Sequence, residues 1–236
     1  MPGTGGLRAI MRNMTSTKLC VVAGAGPGMG YAIARTFARN GFDIALLARR
    51  QPELDAAAAN LQTLGIRAQG FATDLTEAAD IARAFTAIRA SLGHASVMVH
   101  NASVMHQIPA MEIDPQVFAR DVSLCVNGAL VCAQQVYPAM KAARAGTMLF
   151  TGGGVALHPE SGAGISALTA GKCALRGLVL ALAKELQPDA IKVATITIAG
   201  GVTPGTPFDP DLIAAHYWTL HNHPNPPAEI VFDGKS

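Results

Sequence analysis

Charge is scarce in this chain. Of its 236 residues 14% are Asp, Glu, Lys or Arg against 50% hydrophobic ones, and the formal net charge is +2. So apolar a composition excludes a disordered chain, and the few cations form no stripe that would seek nucleic acid or an anionic membrane surface. No apolar run approaches the roughly 18 residues needed to span a bilayer. Cysteine is sparse as well: Cys20, Cys125, Cys132 and Cys173 stand singly in apolar contexts. That pattern fits neither a disulfide framework nor a zinc site and implies reduced thiols in a cytoplasmic protein. Residues 1–17 hold arginines but no continuous apolar stretch. They read as a flexible tail rather than a signal peptide, with Met14 beside Met1 as a candidate native start. There is no internal repeat and no low-complexity linker, so residues 18–236 form one domain around one large core.

What the chain does have is glycine, and four glycines stand in Gly24-Ala25-Gly26-Pro27-Gly28-Met29-Gly30. The apolar run Leu19-Cys20-Val21-Val22-Ala23 precedes them and a helix-like stretch from Tyr31 follows. Glycine permits positive φ and lets a diphosphate approach the main chain, while the unpaired N–H groups at the helix start attract the anion. The strand and helix on either side distinguish this from an ordinary glycine-rich turn.

Nearly continuous apolar runs predict strands near residues 19–23, 43–48, 67–72, 96–100, 147–151, 192–198 and 230–232, as a parallel sheet covered on both faces requires. Helices are expected to stop at Asn40-Gly41, Gly65, Gly93 and Gly146 and to start at Pro52 and Asp114-Pro115. The fold class is therefore α/β, a single doubly wound Rossmann-type domain with about seven parallel strands. Ligands of such sheets bind at the carboxyl ends of the strands. There the sequence offers Ala48-Arg49-Arg50 after the second strand, Asp74-Leu75 after the third and His100-Asn101-Ala102-Ser103 after the fourth. Arg49 without an acidic neighbour suits a ribose 2′-phosphate and so NADP(H), with NAD the lesser fit; the other reading is a solvated basic pair opening the next helix. Asp74 either holds an adenine edge with Leu75 or caps the helix that follows.

Together these residues resemble the short-chain dehydrogenase/reductase family over roughly residues 18–234. Gly24, Gly28 and Gly30 match its Thr-Gly-x-x-x-Gly-x-Gly signature with Ala23 for the threonine, Asp74 its adenine-contacting aspartate, and Asn101-Ala102 the middle of its Asn-Asn-Ala-Gly segment. Gly26, Met29 and Leu75 join the cofactor set by adjacency, and Ala199-Gly200, with Val202 beyond, resembles the family's Pro-Gly segment near the nicotinamide. Lys172 matches the family lysine, for which the resemblance implies a hydrogen bond to the nicotinamide ribose; the alternative is a lysine snorkelling at a helix start.

The departures fall on the catalytic positions that the resemblance implies. The tyrosine four residues before the lysine is Leu168, the serine after the fifth strand is Gly153, and the asparagine of the preceding helix falls, counting from Gly128 and Met140, on Cys125, with Asn127 two residues away. No tyrosine lies between Tyr137 and Tyr217. Candidate substitute acids are His106, His158 and Tyr217, the last in a helix read as part of a short lid over residues 204–224. The expected function is NADP(H)-dependent hydride transfer to or from a small carbonyl, alcohol or activated double bond, with an atypical proton donor. The alternative is a non-catalytic nucleotide-binding or sensing protein. Apolar positions around most of the helices near 118–141 and 166–186 imply a homodimer or homotetramer.

Overall fold

The structure is a computed structural model that describes residues 18–235; the tail expected over residues 1–17 lies outside the described residues. Seven strands follow in chain order: β1 Leu19–Ala23, β2 Asp43–Ala48, β3 Ala68–Ala72, β4 Val97–His100, β5 Gly146–Gly153, β6 Ile191–Ile198 and β7 Glu229–Phe232. They form one sheet in the order β3-β2-β1-β4-β5-β6-β7. Every neighbouring pair is parallel, with Val21 opposite Ala45 on one side and Met98 on the other. The expected doubly wound sheet is present, and its strands reverse direction of winding between β1 and β4.

Six helices cover it: α1 Met29–Arg39, α2 Gln51–Gln62, α3 Ala78–Ser91, α4 Pro115–Ala143, α5 Ser166–Glu185 and α6 Pro210–Asn222. Period-two alternation divides each of β1 to β6 between two cores, while β7 faces one. Leu19, Val21 and Ala23 of β1 face α3, α4 and α5, whereas Cys20 and Val22 face α1, α2 and α6. Both sides of the central strands are buried, which is why their sequences read as unbroken apolar runs.

Local chemistry sets the boundaries. Asp114 starts α4 as expected: its Oδ1 accepts from the amides of Gln116 and Val117 at 2.7 and 3.2 Å, ahead of Pro115. Gly146 is not the stop signal it seemed. Arg144 takes the left-handed conformation that ends α4, and Gly146 begins β5, where a Cβ would stand 2.4 Å from the Met140 sulfur. One helix exceeds the expectation about apolar length: Ser166–Glu185 is long and apolar enough by composition to cross a membrane. It lies instead across α4, β5 and β6, with Leu175, Val179 and Leu182 buried.

The expected lid is corrected more firmly. Residues 210–222 form α6, which buries Ile213, Ala214, Tyr217 and Leu220 and packs along α1. Its Trp218 and His221 join Phe37 and Phe42 in an aromatic cluster with ring centroids 5.3 to 5.9 Å apart. Burying a large side chain contributes about 1.5–3 kcal/mol, so a helix with this many apolar residues belongs in the core rather than over an opening.

Candidate functional site

The strand carboxyl ends open on a cleft of about 770 Å³ at the β1/β4 switch point. Its glycines divide into two kinds. Gly24 has φ +93° and a Cβ there would stand 2.5 Å from the Ala102 amide nitrogen, while a Cβ on Gly30 would stand 2.3 Å from the Gly24 carbonyl oxygen. These two let the turn close on β4 and on α1. Gly26 and Gly28 have nothing within 4 Å of their Cβ positions, so the main chain is bare at the start of α1, where N–H groups and the helix dipole draw anions. Gly26 and Met29 line the cleft; Gly28 caps α1 and Gly30 is buried behind it.

A polar chain holds the turn. The Asn101 amide donates to the Gly24 carbonyl at 2.9 Å, and its oxygen accepts from the Thr151 hydroxyl at 2.8 Å. With that proton committed, Thr151 Oγ1 accepts from the Tyr217 hydroxyl at 2.6 Å. Tyr217 is thus a buried strut, and it is removed from the candidate acids: it is fully buried in α6, and burial pushes its phenol above the ordinary value.

Beyond β2 and β3 the cleft carries charge. Arg49 lines it, exposed and with no ion pair among the described residues, while Arg50 pairs with Glu53 at 2.7 Å. Asp74 lines the same end. Its Oδ1 accepts from the hydroxyl and amide of Thr76, and Arg120 donates to Oδ2 at 3.0 Å. The Thr76 hydroxyl foremost, with the Arg120 guanidinium, holds this carboxyl below the usual carboxylate range. Asp74 ties down the loop rather than capping α3, which begins only at Ala78. Leu75, Asn101 and Ala102 also line the cleft.

At its other end the cleft meets a second cavity of about 600 Å³, and Met105, Gly153, Leu168, Lys172, Ile198 and Gly200 line both. Leu168 stands one turn before Lys172 on α5. Lys172 is 5% exposed, and its Nζ donates to the Thr151 carbonyl at 2.7 Å. Burial lowers its pKa. A Cβ on Gly153 would lie 3.4 Å from Lys172 Cγ, so the lysine stem occupies the space beside that residue. Cys125 lines neither cavity. It is fully buried where α4 crosses α5, close against Gly171, and burial pushes its thiol up. Beneath the junction His100 is buried, with no partner for either ring nitrogen among the described residues, and burial foremost, then Lys172, push it down to about 3. Val202 stands in the loop after β6, 38% exposed at the cleft mouth.

The remaining candidate acids sit apart from the junction. His158 is exposed beside Glu160, 3.6 Å away, at the outer end of the second cavity. His106 lines neither cavity and contacts Asp121 Oδ2 at 2.6 Å. Asp121 and Arg120, both lining the cleft from α4, were missed from the sequence; their place two turns into the helix that follows β4 was the available signal.

The sequence profile of the short chain dehydrogenase family matches residues 18–211. Among characterised relatives, the 3alpha-hydroxysteroid dehydrogenase of Mediterraneibacter gnavus is 28% identical over 193 residues, covering 80% of this chain and 75% of that protein. The 2-(S)-hydroxypropyl-CoM dehydrogenase 3 of Xanthobacter autotrophicus is 28% identical over 179 residues, 76% of this chain and 68% of that one. Among solved structures, a metagenomic short-chain oxidoreductase in complex with NADP superposes with a TM-score of 0.81 at 27% identity, over 92% of this chain and 96% of its own. With the profile spanning most of the chain on the fold and cleft described, this protein belongs to the short-chain dehydrogenase family.

Proposed function

We propose that this protein is an NADP(H)-dependent oxidoreductase that transfers hydride to or from a small carbonyl, alcohol or activated double bond, with an atypical proton donor. The observation that carries the cofactor reading is Arg49: its guanidinium, with no ion pair among the described residues, lines the cleft at the end of β2, where position 48 is Ala rather than an acid. A 2′-phosphate fits that position as a charge-assisted partner. The remaining fit is equally concrete. Gly26 and Gly28 leave the main chain open to a diphosphate, and Asp74, Leu75 and Lys172 line the same cleft, where the first two would flank an adenine and Lys172 would hold the nicotinamide ribose. Bound there, the cofactor supplies the hydride chemistry; the protein orients it and excludes water. The NADP in the related metagenomic oxidoreductase supports the same assignment.

In a calorimetric titration NADPH is expected to bind more tightly than NADH by about 1.5–3 kcal/mol, and Arg49→Asp to erase or invert the preference. Equal affinities in the unmutated protein overturn the NADP(H) reading.

The family's tyrosine, serine and asparagine are replaced here by Leu168, Gly153 and Cys125, and these apolar substitutions favour a second reading, a binding or sensing protein that keeps the nucleotide and has lost the chemistry. Nicotinamide fluorescence in a screen of carbonyls, enones and imines separates the two. The half-buried Val122, Leu124, Val126 and Leu130 of α4 and Leu178 of α5 support a homodimer or homotetramer; a stable monomer at micromolar concentration in light scattering overturns that. Four free cysteines, three of them buried, suit the cytoplasm.

A further inference from the structure

Hydride addition to a carbonyl carbon leaves an electron pair on oxygen that one proton must close. The structure offers few places to find that proton. Six residues line both the cleft and the second cavity, and five of them, Met105, Gly153, Leu168, Ile198 and Gly200, carry no ionisable or hydroxyl group. The sixth is Lys172.

We propose that Lys172 is itself the proton donor and acceptor for the substrate oxygen, its ammonium acting directly where no hydroxyl intervenes. The proposal rests on the oxidoreductase reading above. One N–H of Lys172 is held by the Thr151 carbonyl at 2.7 Å, and the other two have no protein partner among the described residues. The carbonyl fixes Nζ on a residue that lines both cavities. Gly153 places no side chain over Cγ, Cδ and Cε of the lysine, which would lie 3.4 to 3.8 Å from a Cβ there, so that flank opens to the second cavity. Leu168, one turn earlier, supplies apolar wall only. In the reduction direction a hydride from the reduced nicotinamide nucleotide, which would be oxidised by two electrons, forms a C–H bond at the carbonyl carbon and the C=O π pair moves to oxygen. Oxygen then takes a proton from Nζ, the N–H bond breaking to leave a neutral amine, which regains its proton from solvent. Oxidation runs these steps in reverse.

The surroundings make the proton transferable. Burial disfavours the ammonium and lowers its pKa toward the working range of a general acid. The titratable groups that face it are His100 from β4 and Cys125 from α4. His100 is pushed down to about 3 and the Cys125 thiol is pushed up, so both are neutral at pH 7 and neither supplies an anion to retain the proton. Asp121, one turn before Cys125, is engaged with His106.

Lys172→Arg is the decisive variant, because arginine keeps the positive charge and its donors and does not give up a proton in proteins. With NADPH saturating at the affinity measured for each variant and 1-phenylpropane-1,2-dione or benzaldehyde as probe, turnover is expected to fall by roughly 10²–10⁴-fold, beyond whatever NADPH affinity the altered ribose contact loses. Lys172→Met, checked for folding by circular dichroism, is expected to lose turnover likewise and to regain part of it with added methylammonium; no regain overturns the proposal. A third measurement needs no cofactor: in protein labelled with [13C]lysine, the Cε resonance that disappears in Lys172→Met is expected to titrate below the ordinary lysine range. Titration at or above that range overturns the proposal. So does turnover of Lys172→Arg within tenfold of the unmutated protein, which leaves the oxidoreductase reading standing. No turnover of either probe by the unmutated protein overturns that reading itself, and this proposal with it.

Discussion

The two ends of the cleft are built on opposite principles. At the β2/β3 end, charged and hydrogen-bonding groups are matched in detail: Asp74 is held by Thr76 and Arg120, Arg50 by Glu53, and Arg49 alone is left unpaired toward the opening. At the junction with the second cavity, polar groups are nearly absent, and Leu168, Gly153, Met105 and Ile198 leave one lysine among hydrocarbon. Under the proposed function, the contrast assigns holding a nucleotide and moving a proton to separate parts of one fold. Electrostatic matching fixes a ligand wherever it stands, whereas proton transfer needs a group at one point with a suitable pKa.

The contrast can be tested by furnishing the bare end. A Cβ at position 153 would meet only the flexible stem of Lys172 at 3.4 Å, so a serine fits there, and position 168 already faces both cavities. Leu168→Tyr combined with Gly153→Ser is expected to raise reduction of simple ketones by about 10²-fold, the low end of what a positioned acid contributes, with NADPH affinity little changed. Steady-state rates at saturating NADPH check it. A loss of cofactor binding in this variant would show that the two ends are coupled and break the comparison. Next in size stands the Arg49→Asp effect on NADPH, which acts on the furnished end alone.

A smaller effect sharpens the comparison from below. His100, beneath the junction, titrates at about 3 in the folded protein, and His221, behind the sheet, at about 4, with burial the main cause in both and Lys192 adding to the second. In the unfolded chain both take up protons near pH 6.5, so below that pH the unfolded state binds more protons and stability falls as pH falls. The fully buried His100 contributes a slope of at most about 1.4 kcal/mol per pH unit between 6.5 and about 3. His221 is half-buried and contributes less, being screened by solvent. Urea melts are expected to show lower stability at pH 5 than at pH 7, and a flat profile would show that these histidines are charged in the folded state.

Most of this architecture was legible because period and punctuation repeat in it. The central parallel strands need apolar residues on both faces, so they were visible as unbroken runs, while the half-exposed edge strands β3 and β7 were weaker signals; Asp114-Pro115 announced α4 by cap chemistry. Gly24 and Gly30 were legible as a motif; the closure of Gly30 on Gly24 is local to the turn, whereas that of Gly24 on Ala102 depends on a distant segment. What escaped was set by tertiary contact. Residues 210–222 carry apolar positions that suit a lid or a core helix equally, and only the apposition of Phe37 and Phe42 decides for the core. Tyr217 looked like an acid because a tyrosine was missing elsewhere, yet its hydroxyl is spent on Thr151 behind the turn. Cys125 matched a catalytic position by counting along the chain, and the crossing of α4 over α5 puts it out of reach of both cavities. Asp121 was overlooked since nothing local marks an aspartate in a helix as lining a cleft.

The chain of hydroxyls and amide from Tyr217 through Thr151 and Asn101 to Gly24 also bears on how the protein is made. The glycine turn leaves the ribosome early, and the last member of its scaffold is synthesised 193 residues later, at position 217. Until then Thr151 has no tyrosine behind it and α1 has no α6 to lie along. A nascent chain cut short before that point carries the glycine motif complete in sequence but lacks the Tyr217 hydroxyl and the α6 packing that brace it in the full structure.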